Sequence, residues 1–240
     1  MTKSPATATL TVDVNPDGVA LITLDRPPVN ALDLGVLEEL QLVLDEQIAG
    51  EARAIVLTAR GRCFCAGIDT KLVAVYDAAQ RRATVAGLNR VVHTLYTAPV
   101  PVVAALNGHA LGGGVVLPLA CDRRLIASGE ISVGLTEVQA GVPYPAAAMH
   151  IVRAELRPAV ARELCLTARV LSPQEALALE VVDRVCAPDA LVAQAVAHAA
   201  ELAELPAYAR VKQQLRQETA ELTHVVVTQE LDPMLDSWLA

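Results

Sequence analysis

Aromatic residues are scarce in this 240-residue chain, where phenylalanine, tryptophan and tyrosine together make up 2% of the sequence. Proteins that read single-stranded nucleic acid stack bases on aromatic side chains, and this chain has few to offer. A formal net charge of −8 also argues against a phosphate-backbone partner, so we expect no nucleic acid ligand. The core must be filled by Val, Leu, Ile and Ala, and the length is typical of one catalytic-sized unit.

Cysteine is too sparse and too irregular to predict a disulfide framework or a metal centre. The five cysteines are odd in number and most lie in apolar runs, which is typical of buried thiols in a reducing compartment. Cys63 and Cys65 form a C-x-C pair but lack the second pair that a zinc site needs. The N-terminal stretch MTKSPATATL has no apolar core of signal-peptide length. We therefore expect a cytoplasmic protein with no metal or redox cofactor.

One long stretch lacks charge altogether, since no Asp, Glu, Lys or Arg occurs from Val91 to Cys121. A run of that length resembles a membrane span at first sight. Prolines, Asn107 and Gly108 interrupt it, however, and a buried strand followed by a helix explains the pattern better. No membrane association is expected.

Strand and helix patterns alternate along the first two thirds of the chain. Residues 8–14 and 18–25 predict a hairpin. Leucines recur at helical spacing after Asp33, which predicts a helix that Asp33 can cap. Residues 61–71 are predicted to be a turn-rich loop. From Pro145 onward the pattern is almost entirely helical, so we expect α/β layers followed by a helical C-terminal lobe. Further strands are predicted at 53–59, 100–106, 123–128, 131–134 and 181–187, and further helices at Arg81–Tyr96 and after the glycine run.

Two strand-to-helix junctions share one physical design, at Ala66-Gly67-Ile68 and at Gly112-Gly113-Gly114. Glycine lets the chain turn sharply where a strand ends, and the free amides at the start of a helix carry positive potential. Two such junctions that converge would form an oxyanion hole. The glycine run alone also fits tight packing of a helix on a strand. A phosphate loop is less consistent, because Val115 and Val116 follow the glycines and no lysine does.

Four segments, in the same order along the chain, resemble the crotonase, or enoyl-CoA hydratase/isomerase, superfamily. CFCAGIDTK is similar to its F-x-A-G-x-D-x-K segment, and the glycine-rich segment is similar to its N-G-x-A-x-G-G-G…CD-x-R-x-A-S segment. ISVGLTEVQAGVPY is similar to its F-x-x-P-E-x-x-x-G-x-x-P segment. RPPVNAL, which comes first along the chain, is similar to its R-P-x-x-N-A-L entry loop. They are CFCAGIDTK (63–71), NGHALGGGVVLPLACDRRLIAS (107–128), ISVGLTEVQAGVPY (131–144) and RPPVNAL (26–32).

The resemblance implies a fold and a reaction type. The fold is an α/β crotonase (ClpP/crotonase-like) spiral of ββα units, with an acyl-CoA-binding core over 1–190 and a helical C-terminal trimerisation region over 191–240. The implied substrate is an acyl-CoA thioester, with coenzyme A as part of the substrate and no separate cofactor. By the same resemblance, the main-chain amides of Ile68 and Gly113 are expected to hold the thioester carbonyl. A homotrimer or dimer of trimers is implied, and the amphipathic helices predicted around 211–215 and 231–239 fit a subunit interface, with Trp238 as a packing or contact anchor.

The pattern departs from the hydratases of this family at one position. Hydratases carry two glutamates, which would fall at Val116 and at Glu137, and only Glu137 is present. Activating water and moving its proton conventionally uses two carboxylates, whereas moving a double bond from position 3 to position 2 needs one base. GLTEVQAGV (134–142) also resembles the matching segment of mitochondrial-type Δ3,Δ2-enoyl-CoA isomerases. An isomerase with Glu137 as its base is therefore favoured, with Glu137 in an apolar setting that raises its pKa.

Other residues have a predicted role and an ordinary alternative. The candidates to bind coenzyme A are Ala66 in the first junction and the cations Arg26, Lys71 and Lys212. Each of the three cations also fits an ordinary solvated side chain. Val116, Tyr144 and His109 are candidates for the acyl pocket, although an isolated histidine is more often packed or solvated. Asp69 fits a helix cap better than a catalytic acid.

Two rivals remain open on the sequence. One is a sister chemistry on the same scaffold, such as enoyl-CoA hydration, decarboxylation or thioester hydrolysis. The other is a non-catalytic acyl-CoA binder that has kept the pocket, and Val116 in place of an acid gives that alternative weight. A serine hydrolase is disfavoured because no G-x-S-x-G segment is present.

Overall fold

The computed structural model describes residues 9–50 and 52–235, and the structural statements below concern those residues. Trp238 and the end of the predicted 231–239 helix lie outside them. The strands are β1 Leu10–Val14, β2 Val19–Leu24, β3 Ala54–Ala59, β4 Cys63–Cys65, β5 Val102–Leu106, β6 His109–Leu111, β7 Arg123–Ala127, β8 Val133–Gly134 and β9 Arg184–Cys186. The helices are α1 Leu34–Ala49, α2 Thr70–Val73, α3 Ala78–Thr97, α4 Gly113–Ala120, α5 Glu137–Ala140, α6 Ala146–Glu155, α7 Pro158–Thr167, α8 Pro173–Ala178, α9 Leu191–Ala203 and α10 Tyr208–Gln229.

The strands form two sheets. The larger has the order β1-β2-β3-β5-β7-β9, and the smaller has the order β4-β6-β8. Pairing is antiparallel between β1 and β2, in the predicted hairpin, and parallel between all other neighbours. Parallel strands need long crossover connections, and here helices and the strands of the smaller sheet supply them.

Three successive segments repeat one pattern, which confirms the predicted α/β spiral of ββα units. Each gives a strand to the larger sheet, the next strand to the smaller sheet, and then a helix. The three are β3-β4-α2, β5-β6-α4 and β7-β8-α5. The smaller sheet therefore collects strand ends from three separate parts of the chain.

Aliphatic residues fill the core, as the scarcity of aromatics predicts. Phe64, the one phenylalanine, is fully buried among leucine, isoleucine and valine side chains. One face of the larger sheet packs with α1, α3, α4 and α6 in the main cluster. The other face is covered by α9 through Leu191, Ala195 and Ala199. The predicted domain boundary at residues 190 and 191 stays a prediction, and α9 is continuous with the sheet core.

Several local predictions are confirmed. Asp33 caps α1 by accepting a hydrogen bond from the Val36 amide at 2.9 Å, and Asp69 caps α2 by accepting from the Leu72 amide at 3.1 Å. All five cysteines are free, and four are buried while Cys165 is partly exposed. Two expectations are wrong. The predicted loop at 61–71 contains the short strand β4, and residues 231–235 are not helical.

The charge-free run folds inside the protein. It forms the end of α3, the strands β5 and β6, and α4, and most of its residues are buried. Among the described residues, no helix has the length and apolar character that crossing a membrane requires.

Candidate active site

The smaller sheet places three predicted site residues side by side. Ile68 comes three residues after the end of β4, Gly113 two residues after β6, and Glu137 three residues after β8. Since β4, β6 and β8 are neighbouring parallel strands, their carboxyl ends lie at one edge of the sheet. Sites of open α/β sheets form at such edges. The topology therefore brings together residues that are up to 69 positions apart in the sequence.

A parallel β-bridge between Leu32 and Ile68 sets the direction of the Ile68 amide. The Leu32 amide donates to the Gly67 carbonyl at 2.8 Å, and the Asp69 amide donates to the Leu32 carbonyl at 2.8 Å. Because successive backbone groups alternate along extended chain, the N–H of Ile68 faces the other side. That side is the cavity, which Ile68 lines.

The second donor is at the start of α4. Gly112 has φ of +54°, a left-handed conformation, and its carbonyl accepts from the Val115 amide at 2.8 Å. The first amides of a helix have no carbonyl partner within it, so the N–H of Gly113 is free to bind a ligand, and the helix dipole adds positive potential.

Close approach explains why three glycines stand together. A Cβ on Gly114 would collide with the Cys65 carbonyl oxygen, so only glycine lets α4 begin against β4. A Cβ on Gly113 would lie 3.6 Å from the Gly67 Cα and 3.9 Å from the Ile68 nitrogen. The two junctions are therefore in contact, which brings the amides of Ile68 and Gly113 close together.

Glu137 is next to this spot. It is the first residue of α5, and a Cβ on Gly112 would lie 3.4 Å from its Oε1. Burial raises the pKa of the Glu137 carboxyl, and the nearby Tyr144 hydroxyl and the residue's own amide partly offset this. A carboxyl group with a raised pKa is suited to carry a proton.

A cavity of about 160 Å³ joins these groups. Its lining includes six residues that the sequence singles out, and these are Ala66, Ile68, Gly113, Val116, Glu137 and Tyr144. Val116 is buried and gives an apolar wall. Sequence reasoning missed Leu88 on α3 and Ala148 on α6, because they come from distant helices and carry no local signal.

His109 is not part of this cavity lining, and its predicted place in the acyl pocket stays a prediction. It lies on β6, where its Nδ1 accepts a hydrogen bond from the Ser132 amide at 3.1 Å. This contact ties β6 to the segment before β8. The ring therefore supports the smaller sheet.

The structure separates the three predicted cations. Arg26 forms ion pairs with Asp33 at 2.9 Å and with Asp69 at 3.0 Å, so it braces the loop that carries Ile68. Lys71 is exposed on α2, beside the cavity residue Thr70. Binding of coenzyme A by Arg26 and Lys71 stays a prediction.

Lys212 does not fit its predicted role. Its ammonium is buried, 2.9 Å from Asp122 and 3.3 Å from the Val100 carbonyl oxygen. Arg216 also pairs with Asp122 at 2.9 Å and donates to the carbonyls of Ala120 and Cys121 at the end of α4. Lys212 is therefore part of a buried charge network that fixes α10, and it is not available to a solvated phosphate.

No metal centre is evident in the part of the chain that the structure describes, since no group of three or more His, Cys, Asp or Glu side chains is placed to hold an ion. The cavity lining likewise contains no Lys, Arg or His side chain among these residues. Its chemistry comes from main-chain amides, one carboxyl and three hydroxyls, on Thr70, Thr136 and Tyr144.

Comparisons with known proteins agree with this fold. The family model described as "Enoyl-CoA hydratase/isomerase" matches residues 15–236. A Thermus thermophilus protein that carries the name of an enoyl-CoA hydratase is 36% identical over 203 residues, which is 80% of this chain and 78% of the relative. The crystal structure of human mitochondrial Δ3,Δ2-enoyl-CoA isomerase matches with a TM-score of 0.85 and 27% identity, covering 93% of this chain and 88% of that one. An enoyl-CoA hydratase structure from Bacillus anthracis matches with a TM-score of 0.80 and 31% identity, covering 93% and 91%.

Proposed function

This chain belongs to the enoyl-CoA hydratase/isomerase family, and from that premise we propose that it is a Δ3,Δ2-enoyl-CoA isomerase with one carboxyl base. The observation that carries the proposal is the composition of the cavity wall. Glu137 is the one carboxyl in the described lining, and the buried Val116 stands where the family's hydratases would have a second. The site is thus equipped to move a proton between two carbons.

The proposed reaction follows from the three converging groups. The carbonyl oxygen of a 3-enoyl thioester binds between the amides of Ile68 and Gly113, and Glu137 removes a proton from C2. The negative charge moves to the thioester oxygen, where the two donors stabilise it in a mostly apolar cavity. Protonated Glu137 then returns the proton at C4, and the double bond is left between C2 and C3. Atoms balance without water or a redox partner.

Hydration is the second candidate, because relatives named as hydratases are similar to this chain. Adding water to a 2-enoyl thioester needs a group that deprotonates water and a group that gives a proton to C2. One carboxyl serves both purposes only if the cavity also orients the water. The apolar side chain of Val116 provides no hydrogen bond for that purpose.

A paired substrate assay is expected to distinguish the two reactions. With 3-hexenoyl-CoA the protein should form 2-hexenoyl-CoA, seen as growing absorbance of the conjugated thioester. With 2-hexenoyl-CoA it should form little 3-hydroxyhexanoyl-CoA, measured by chromatography. In deuterated water, part of the C2 proton should be kept at C4, because one carboxyl carries it. Faster hydration than isomerisation would contradict the proposal, and binding of both thioesters without turnover would favour the non-catalytic binder.

We also propose that the chain assembles as a trimer or dimer of trimers through α10. Its outer face carries exposed apolar side chains at Val211, Leu215, Leu222 and Val225, which helical spacing brings into one stripe. Leu215 is 83% exposed, and contiguous apolar surface of this kind is typical of protein interfaces.

Leu215→Glu is expected to lower the mass of the assembly, because it places charge in the centre of the stripe. Light scattering after size exclusion measures that mass at several protein concentrations. Gln217→Glu, which adds the same charge at an exposed position off the stripe, is the control. An unchanged mass for both variants would exclude this face as the interface.

A further inference from the structure

Two buried oxygen atoms of cavity-lining residues lie near each other without a hydrogen bond of standard geometry. Oε2 of Glu137 and the hydroxyl of Tyr144 are both buried, and neither forms a hydrogen bond of standard geometry within residues 9–50 and 52–235. Unpartnered buried polar atoms are rare in folded proteins, and leaving one unpaired is costly. Both residues line the cavity. A carboxylate acceptor and a phenol donor thus lie together in the same apolar surroundings.

The chain between them fixes this placement. Helix α5 begins at Glu137 and ends at Ala140, and the next residue, Gly141, has φ of +71° and reverses the chain. The Val142 amide then donates back to the Glu137 carbonyl at 3.0 Å. Pro145 is the N-cap of α6, so Tyr144 is held between a tight turn and a helix. The short, ordered turn between the two residues therefore places the Tyr144 hydroxyl near the Glu137 carboxyl.

The electrostatic surroundings leave few other groups to act on Glu137. The lining has no cationic side chain in the described residues, and Tyr144 is the side chain whose hydroxyl lowers the Glu137 pKa. The titratable groups that face this pair are each other and the Cys165 thiol of α7. Burial raises the pKa values of both Tyr144 and Cys165, so each stays protonated. Tyr144 is then a constant donor, and Cys165 is only a weak acceptor in competition.

We propose that Tyr144 is a positioning residue, which donates a hydrogen bond to Oε2 of Glu137 during turnover and holds Oε1 toward the reacting carbon. This inference rests on the proposed function. Hydrogen bonds to catalytic groups are often poorly aligned before substrate binds and become shorter in the complex, which fits two close oxygens without standard geometry. The phenol would also favour the ionised carboxylate, because a donor stabilises the charged form. In this way it supplies the polar contact to the base that an apolar cavity lacks.

Tyr144→Phe tests this role because it removes one oxygen and keeps the ring. We expect kcat for 3-hexenoyl-CoA to fall by about 10- to 100-fold, the loss typical of a hydrogen bond to a charged group. KM should change little, since the bond acts on the base. The acidic limb of kcat/KM should move to higher pH, because without the donor the pKa of Glu137 rises further and the carboxyl holds its proton more strongly. Cys165→Ala should leave both quantities near those of the wild type.

Tyr208→Phe is the matched control, since Tyr208 is at the start of α10 and does not line the cavity. An unchanged acidic limb in Tyr144→Phe overturns the proposal, as does a loss confined to KM, which would mean that Tyr144 only shapes the pocket. Thermal unfolding of each variant checks that it folds. If Glu137→Gln keeps its activity, the proposed function fails. If that variant is inactive while Tyr144→Phe behaves like the wild type, only the inference about Tyr144 fails.

Discussion

Glu137→Gln is expected to lower kcat for isomerisation by about 10³- to 10⁴-fold, the upper part of the range for general acid–base catalysis. Glutamine keeps the size and the hydrogen-bonding oxygen of the side chain but cannot accept a proton from C2. No other carboxyl lines the described cavity, so no neighbour can take over the transfer. KM should stay within a few-fold, because the amides of Ile68 and Gly113 still hold the thioester. Steady-state kinetics with 3-hexenoyl-CoA measure both quantities.

The stability of the same variant separates a chemical effect from a folding defect. Burial raises the pKa of Glu137 in the folded protein above its value in the unfolded chain. Ionised Glu137 therefore costs folding free energy at neutral pH, and that cost disappears as the pH falls and the carboxyl binds a proton. Glutamine never ionises, so the variant should unfold at an equal or higher temperature than the wild type near pH 7.

Glu130→Gln provides the matched control, because Glu130 is exposed on the loop before β8. It should leave both kcat and the unfolding temperature unchanged. Substantial isomerase activity in Glu137→Gln, at a level similar to that of the control, would remove Glu137 from the mechanism.

The part of the site that can be predicted from sequence consists of local features. The glycines at 112–114 and the junction at Gly67 indicate free amides because each lies between a short apolar run and a helix pattern. Glu137 is identified by resemblance, and its burial is consistent with the apolar residues around it. Asp69 could be assigned as a helix cap from its position alone, and the structure confirms that assignment. Each of these conclusions depends on a few consecutive residues.

The remaining part depends on contacts between distant segments. Strands β4 and β6 have three residues each, too few to show a period, and they exist because parallel neighbours pair with them. Lys212 looks like a free cation in sequence, but α10 packs it against Asp122, 90 positions earlier. The surroundings of the Tyr144 hydroxyl are equally unpredictable, because the sequence does not indicate which groups lie near that oxygen.

The contact between the two glycine junctions makes a second strong prediction. Gly67 has φ of +79°, and a Cβ there would lie 2.8 Å from the Leu111 carbonyl oxygen and 3.0 Å from the Gly113 nitrogen. Both neighbours are backbone atoms, so they yield only if one junction moves away from the other. Gly67→Ala should therefore displace the Gly113 amide from the Ile68 amide. We expect kcat to fall by about 10²- to 10³-fold, the effect of losing one oxyanion donor.

Gly61→Ala separates this effect from backbone strain. Gly61 has φ of +83°, nearly the same as Gly67, but a Cβ there meets nothing within 4 Å. Both variants should lose roughly 1–2 kcal/mol of unfolding free energy, because alanine is strained at positive φ, and Gly67→Ala should lose more through its clash. Only Gly67→Ala should lose turnover, measured by kcat alongside chemical denaturation. Equal activity in the two variants would mean that the junctions tolerate separation, and the placement of the thioester oxygen between their amides would then be wrong.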